Sequence, residues 1–174
     1  IITTKKGKSG ETKLNFSQSI GFNEIINLQG QRNWTEALAE SEFGEGALYR
    51  AAEDAGTLRD YESEIFGEKG FITNTTVSMS GGSDKTTFYG GLTRNQEDGI
   101  VKRTGYDKTS LRINLDHRFS DDVKLSLVSN YINSSADRGF FNNDNSGTTI
   151  GVALTATRPW DNLMPDANGN YPDH

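Results

Sequence analysis

Polar and apolar residues alternate along five stretches of this chain: Thr12–Phe22, Phe71–Gly81, Thr86–Gln96, Thr109–Phe119 and Val123–Asn133. Successive side chains of a strand point to opposite faces, so each stretch predicts a strand with one apolar and one polar side. In the fourth, Leu111, Ile113, Leu115, His117 and Phe119 share one parity, and Ser110, Arg112, Asn114, Asp116 and Arg118 share the other. The first sets Leu14, Phe16, Ile20 and Phe22 against Lys13, Asn15, Ser17 and Ser19. The fifth sets Val123, Leu125, Leu127 and Tyr131 against Lys124, Ser126 and Asn130, with Val128 and Ile132 blurring the pattern. The second is weakest, offering Thr73, Thr75, Val77 and Met79 as its only candidate apolar side.

Each stretch runs eleven residues, the length class of strands that cross a bilayer at a tilt (roughly 9–11) and not of ordinary globular strands (about 5–6). The connections alternate in length. Gly81-Gly82-Ser83-Asp84-Lys85 and Ser120-Asp121-Asp122 are tight, whereas nearly fifty residues follow the first stretch and about a dozen follow the third. Alternation alone fits a half-buried soluble antiparallel sheet equally well. Strand length and loop asymmetry favour a barrel with a plain periplasmic rim and an elaborate external one. The expected fold is all-β and mainly antiparallel, part of a large transmembrane β-barrel with a helical extracellular loop insert. On that reading Leu111, Ile113 and Leu115 meet lipid. Asn15, Ser17, Arg112, Asn114, Asp116, Lys124, Ser126 and Asn130 face the lumen. Phe88 and Phe119 beside the tight turns, and Phe22 and Tyr131 towards the long loops, suit interfacial girdles.

In the first long connection Asn33-Trp34-Thr35-Glu36 predicts a helix start, with Asn33 as N-cap and Glu36 in capping-box spacing. Ala37, Leu38, Ala51, Ala52, Ala55 and Leu58 favour broken helical pieces, interrupted by Gly44, Gly46 and Gly56. Residues 31–70 hold ten acids against four bases, which accounts for the whole net charge of −6. No sustained basic patch exists, which argues against nucleic acid as a partner; Lys5-Lys6-Gly7-Lys8 reads as a solvated linker. Low mean hydropathy, −0.66, suits strands whose alternate residues meet lipid, and no run approaches the roughly 20 apolar residues of a membrane helix. There is no cysteine.

Catalysis and cofactors find no support. His117 and His174 are far apart, and no carboxylate pair is singled out for acid–base work. Asn142–Gly147 and Asp166–Asn170 are rich in calcium-type ligands but lack EF-hand spacing, so turn chemistry explains them better and no metal is expected. Between them Thr148–Thr157 predicts a short helix ended by Pro159.

Several segments resemble, in order, the SusC/RagA-type TonB-dependent transporters. Ile1–Gly10 is similar to the end of that family's plug, and Val77–Tyr89 to its glycine-rich hairpin. Asp60–Phe66 resembles its "DW-DEIF" segment with Tyr61 in place of Trp; Asn95–Val101 and Leu111–Phe119 resemble two of its strands. Ala153–Tyr171 resembles a proline-containing stretch from which Trp160 and Asp161 depart. The resemblance implies an outer membrane barrel of about 22 strands around a plug. Residues 1–10 would end the plug and its linker, and residues 11–174 would begin the barrel. Both ends of the chain read as cut from something longer. The implied function is TonB-dependent import of an oligomeric nutrient, an oligosaccharide in preference to a peptide. The implied partners are a SusD-like surface lipoprotein, TonB and outer membrane lipid, in a Bacteroidota-type Gram-negative cell. A surface adhesin without transport and a soluble β-rich domain remain alternatives.

Overall fold

The computed structural model describes residues 5–140 and 149–171. Five antiparallel strands pair strictly in chain order: β1 (Gly10–Asn23), β2 (Gly70–Gly82), β3 (Thr86–Asp98), β4 (Gly105–Arg118) and β5 (Lys124–Asp137). The expected strands are all present, each extended at one or both ends. β4 differs most. It starts at Gly105, opposite Asp98, so the link from β3 is residues 99–104 and not a dozen residues. Thr104 donates its N–H to the Val101 carbonyl and Gly99 closes back on Thr104, with Val101 buried in the bend. This connection is hardly longer than the opposite turns, so loop asymmetry now rests on the segments after β1 and β5. The added pairs, such as Gln96–Asp107 and Glu97–Tyr106, are polar. No apolar parity marked them as strand, although an Arg94–Asp107 ion pair at 3.2 Å crosses there.

The β2–β3 turn needs glycine at Gly82. Its φ is 150° and an added Cβ would stand 2.2 Å from the Thr86 carbonyl oxygen. Ser83 donates its N–H to that same oxygen, closing the turn.

The strands, with residues up to Glu24 and Glu68–Arg138, form one compact unit; Ile25–Gly67 and the segment from Gly139 onward form a second. The second unit holds α1 (Glu36–Phe43), α2 (Gly46–Asp54), α3 (Tyr61–Phe66) and α4 (Ile150–Ala156). The α1 cap is Thr35, not Asn33. The Thr35 hydroxyl accepts from the Leu38 N–H, so Glu36 is the first helical residue and pairs with Arg50 instead of closing a capping box. Thr149 caps α4 in the same way, and α4 stops before Pro159.

This unit's core joins both chain segments. Trp160 stands edge-on to Trp34 (ring centroids 5.1 Å apart) and to Tyr49 (5.6 Å), with Ala39 and Ala52 buried beside it. Glu45 binds Arg158 Nη1 at 2.9 Å and the Trp160 indole N–H at 2.8 Å. Tyr61 is buried, donates its hydroxyl to the Asp161 carbonyl and accepts from the Leu163 N–H. Trp160 and Asp161, the two departures from the family pattern, therefore belong to the fold of the insert.

Candidate functional site

Strand register decides which side chains share a face. Asn15 faces Ser78, which faces Gly91, Arg112 and then Asn130. Ser17 begins the next row of the same parity, through Thr76, Thr93 and Ser110. Asp116 faces Ser126, and Arg118 faces Lys124. All eight residues expected to share the polar side thus lie on one face of the sheet.

The structure separates these eight residues into two groups. Asn114 is 4% exposed; its side-chain amide donates to the Lys5 carbonyl, and its own carbonyl oxygen has no partner among the described residues. Asp116 lies between Lys6 (3.7 Å) and Lys124 (3.5 Å) and accepts from the Ser126 hydroxyl. Residues 5–7 therefore rest on the polar face near the turns. Asn15, Ser17 and Asn130 stay exposed, and Arg112 is partly so. The linker at Lys5–Lys8, expected to be merely solvated, has exposed lysine side chains over a seated backbone.

The opposite face carries Leu14, Phe16, Ile20 and Phe22, then Val77 and Met79, Phe88 and Leu92, Leu111, Ile113 and Leu115, and Leu125, Leu127 and Tyr131. Among the described residues nothing covers it: Phe16 is 68% exposed, Ile113 44% and Leu127 50%. Moving such a surface into hydrocarbon is favourable by about 25 cal/mol per Å² of apolar area.

The apolar residues also form a slanted band. The row perpendicular to the strands through Gln18 passes Thr75, Arg94 and Thr109 and reaches Asn133. On β1 that row bisects the apolar residues. On β5 the band is centred between Leu127 and Ser129, five residues nearer the turns, with β3 and β4 intermediate or equal. Five residues along a strand (~17 Å) over four strand spacings (~19 Å) slant the band by ~40°. A flat hydrocarbon slab would meet such a band only if the strands tilted by that angle, and membrane barrels tilt by about 35–45°.

The second unit has a groove lined by Arg32, Trp34, Phe43, Glu62, Leu154 and Pro159. Its charges are engaged already. Glu62 accepts from the N–H groups of Gln29 and Gly30, and Arg32 pairs with Glu42 and lies over the Trp34 ring. Asp166 is occupied too: its carboxylate accepts from the N–H groups of Asn168 and Asn170, which hold it below the usual carboxylate range. That turn uses its ligand-type residues on its own backbone. Residues 142–147 lie outside the described residues. No group of three or more His, Cys, Asp or Glu that could hold a metal occurs among the described residues.

No protein-family model matches the chain. TonB-dependent receptor P26 of Formosa agariphila is 29% identical over 177 residues, which cover 97% of this chain and 17% of the receptor. TonB-dependent receptor SusC of Bacteroides thetaiotaomicron is 26% identical over 167 residues, 91% of this chain and 16% of the receptor. The fold is similar to that of the RagAB peptide importer in its closed-closed state, at 20% identity and a TM-score of 0.63, covering 98% of this chain and 23% of that one. The open-open state gives a TM-score of 0.59 at 19% identity. Over nearly its whole length the chain is similar to TonB-dependent receptors of the SusC/RagA type. It spans about a sixth of the length of these two curated relatives. Its sheet has an apolar side uncovered among the described residues and a polar side on which residues 5–7 rest.

Proposed function

We propose that this sequence forms part of an outer membrane importer that is driven through TonB and carries an oligomeric nutrient, an oligosaccharide or a peptide. On this reading residues 1–10 end a plug and residues 11–174 begin the barrel wall around it. The apolar face meets lipid, and the polar face lines the interior. The connection 23–70 and the segment after β5 lie outside the cell, where a SusD-like lipoprotein would meet the receptor. The observation that carries the reading is the slanted apolar band backed by a polar face on which the N-terminal segment rests. An adhesin would need no such occupied interior.

Deleting the gene for the full-length protein in its host tests the proposal. Growth on one class of oligosaccharide or peptide as sole nutrient should be lost, growth on the corresponding monomer should persist, and loss of TonB should reproduce the defect. Unimpaired growth on every oligomer tried, together with lost surface adhesion, would support the adhesin instead.

A further inference from the structure

The most unusual packing in the sheet unit is that of the five residues before β1. Lys5 offers its carbonyl to Asn114, the Lys6 ammonium reaches Asp116, and the Ser9 hydroxyl donates to Asp84 at 3.0 Å in the β2–β3 turn. Gly7 lies directly on the backbone of β3: a Cβ built there would stand 2.3 Å from the Phe88 carbonyl oxygen and 2.4 Å from its nitrogen. Any other residue would have to lift the segment off the strand. The chain then turns at Gly10, φ 131°, and enters the β1–β2 ladder through a register shift between Gly10 and Lys13. Four contacts of different chemistry, spaced along five residues, make a built seat and not a passing linker.

We propose that residues 5–9 are a fixed strap that ties any chain preceding them to the β3–β4 wall. Asn114 and Asp116 are its positioning residues. Asn114 holds the strap by its backbone: its side-chain amide donates to the Lys5 carbonyl, and its buried carbonyl oxygen has no partner among the described residues. Asp116 is balanced by Lys124 and Ser126 from the next strand, so the strap's lysine docks on a prearranged carboxylate. The polar face is thereby divided. Its turn-side part serves the strap, and Asn15, Ser17, Arg112 and Asn130 lie beyond it. This inference requires no transport and stands apart from the proposed function.

Limited trypsin digestion of the full-length protein in detergent micelles, with cut sites mapped by mass, tests it. Lys5, Lys6 and Lys8 are trypsin sites that only a released strap can present, since cleavage needs the local backbone to open. Arg32, in an exposed irregular segment, is the internal control. The wild-type protein should be cut at Arg32 well before Lys8. Gly7→Val and Asn114→Leu should each raise the Lys8 rate several-fold and leave the Arg32 rate unchanged. If Gly7→Val fails to assemble, Asn114→Leu, which keeps the branched shape and removes the donor, carries the test. Cleavage of the wild type at Lys8 as fast as at Arg32, or assembled variants that protect Lys8 like the wild type, would overturn the strap.

Discussion

Ile113→Arg should prevent most of the full-length protein from reaching its folded form in the outer membrane, while Asn130→Arg should be tolerated. Both positions lie near the midpoints of the neighbouring strands β4 and β5. Ile113 pairs with Gly90 and Ser129 on the apolar face, and Asn130 pairs with Arg112 on the polar one. An arginine on the lipid side near the bilayer midplane costs roughly 2–4 kcal/mol, a factor of about 30 to 700 in an equilibrium. An arginine facing a wet interior costs little. Asn114, next to Ile113, is an unsuitable control because it is buried under Lys5. The fraction of protein with heat-modifiable migration in outer membrane preparations reads the effect. Equal assembly of both variants would mean that the apolar face does not meet lipid.

Trp160→Ala should unfasten the helical unit without disturbing the sheet. Trp160 is 8% exposed, packs edge-on against Trp34 and Tyr49, and donates its indole N–H to Glu45. Removing a buried aromatic of this kind costs ~3–5 kcal/mol, and few local helices of this length hold without tertiary packing. Amides of α1 and α2 should therefore lose most of their hydrogen-exchange protection, while those of β3 and β4 keep theirs. Glu45→Ala should act in the same direction but less strongly, since it removes two charge-assisted hydrogen bonds and leaves the aromatic cluster in place. Unchanged protection in α1 and α2 of the Trp160 variant would contradict the core described above.

How much of this was legible in the sequence depended on how local each cause is. The strands were readable where one face is apolar at every second residue, as in Leu111–Leu115 and Leu14–Phe22. Beyond the apolar band the parity vanishes, and Gly105–Lys108 looked like loop although its residues pair with Asn95–Asp98. The facing of the polar residues followed from parity alone, and the register places all eight together. Their division did not follow, because Asn114 and Asp116 are distinguished by contact with residues more than a hundred positions away. The Asn33 cap failed for a near-degenerate reason. Thr35, a slightly poorer cap by type, lies two residues later; it caps the helix while Trp34 between them packs against the aromatic cluster. Trp160 stood out as a departure from a pattern, but nothing local shows that it pairs with an insert a hundred residues earlier.

The central claim is that this sheet is a membrane wall, with the band of Leu111, Ile113, Leu115, Leu125 and Leu127 in hydrocarbon and the alternate residues inside. Spin labels placed one at a time along 109–119 and 123–133 of the full-length protein in liposomes test it most directly, through collision with oxygen and with a water-soluble nickel chelate. The account predicts a period of two on both strands. Labels at 111, 113, 115, 125 and 127 should favour oxygen, with the maximum on β5 displaced towards Ser120–Asp122 by the slant of the band. Labels at 112 and 130 should favour the chelate, and label 114 should be shielded from both. Nickel accessibility at 111, 113 and 127 equal to that at 130 would contradict the account.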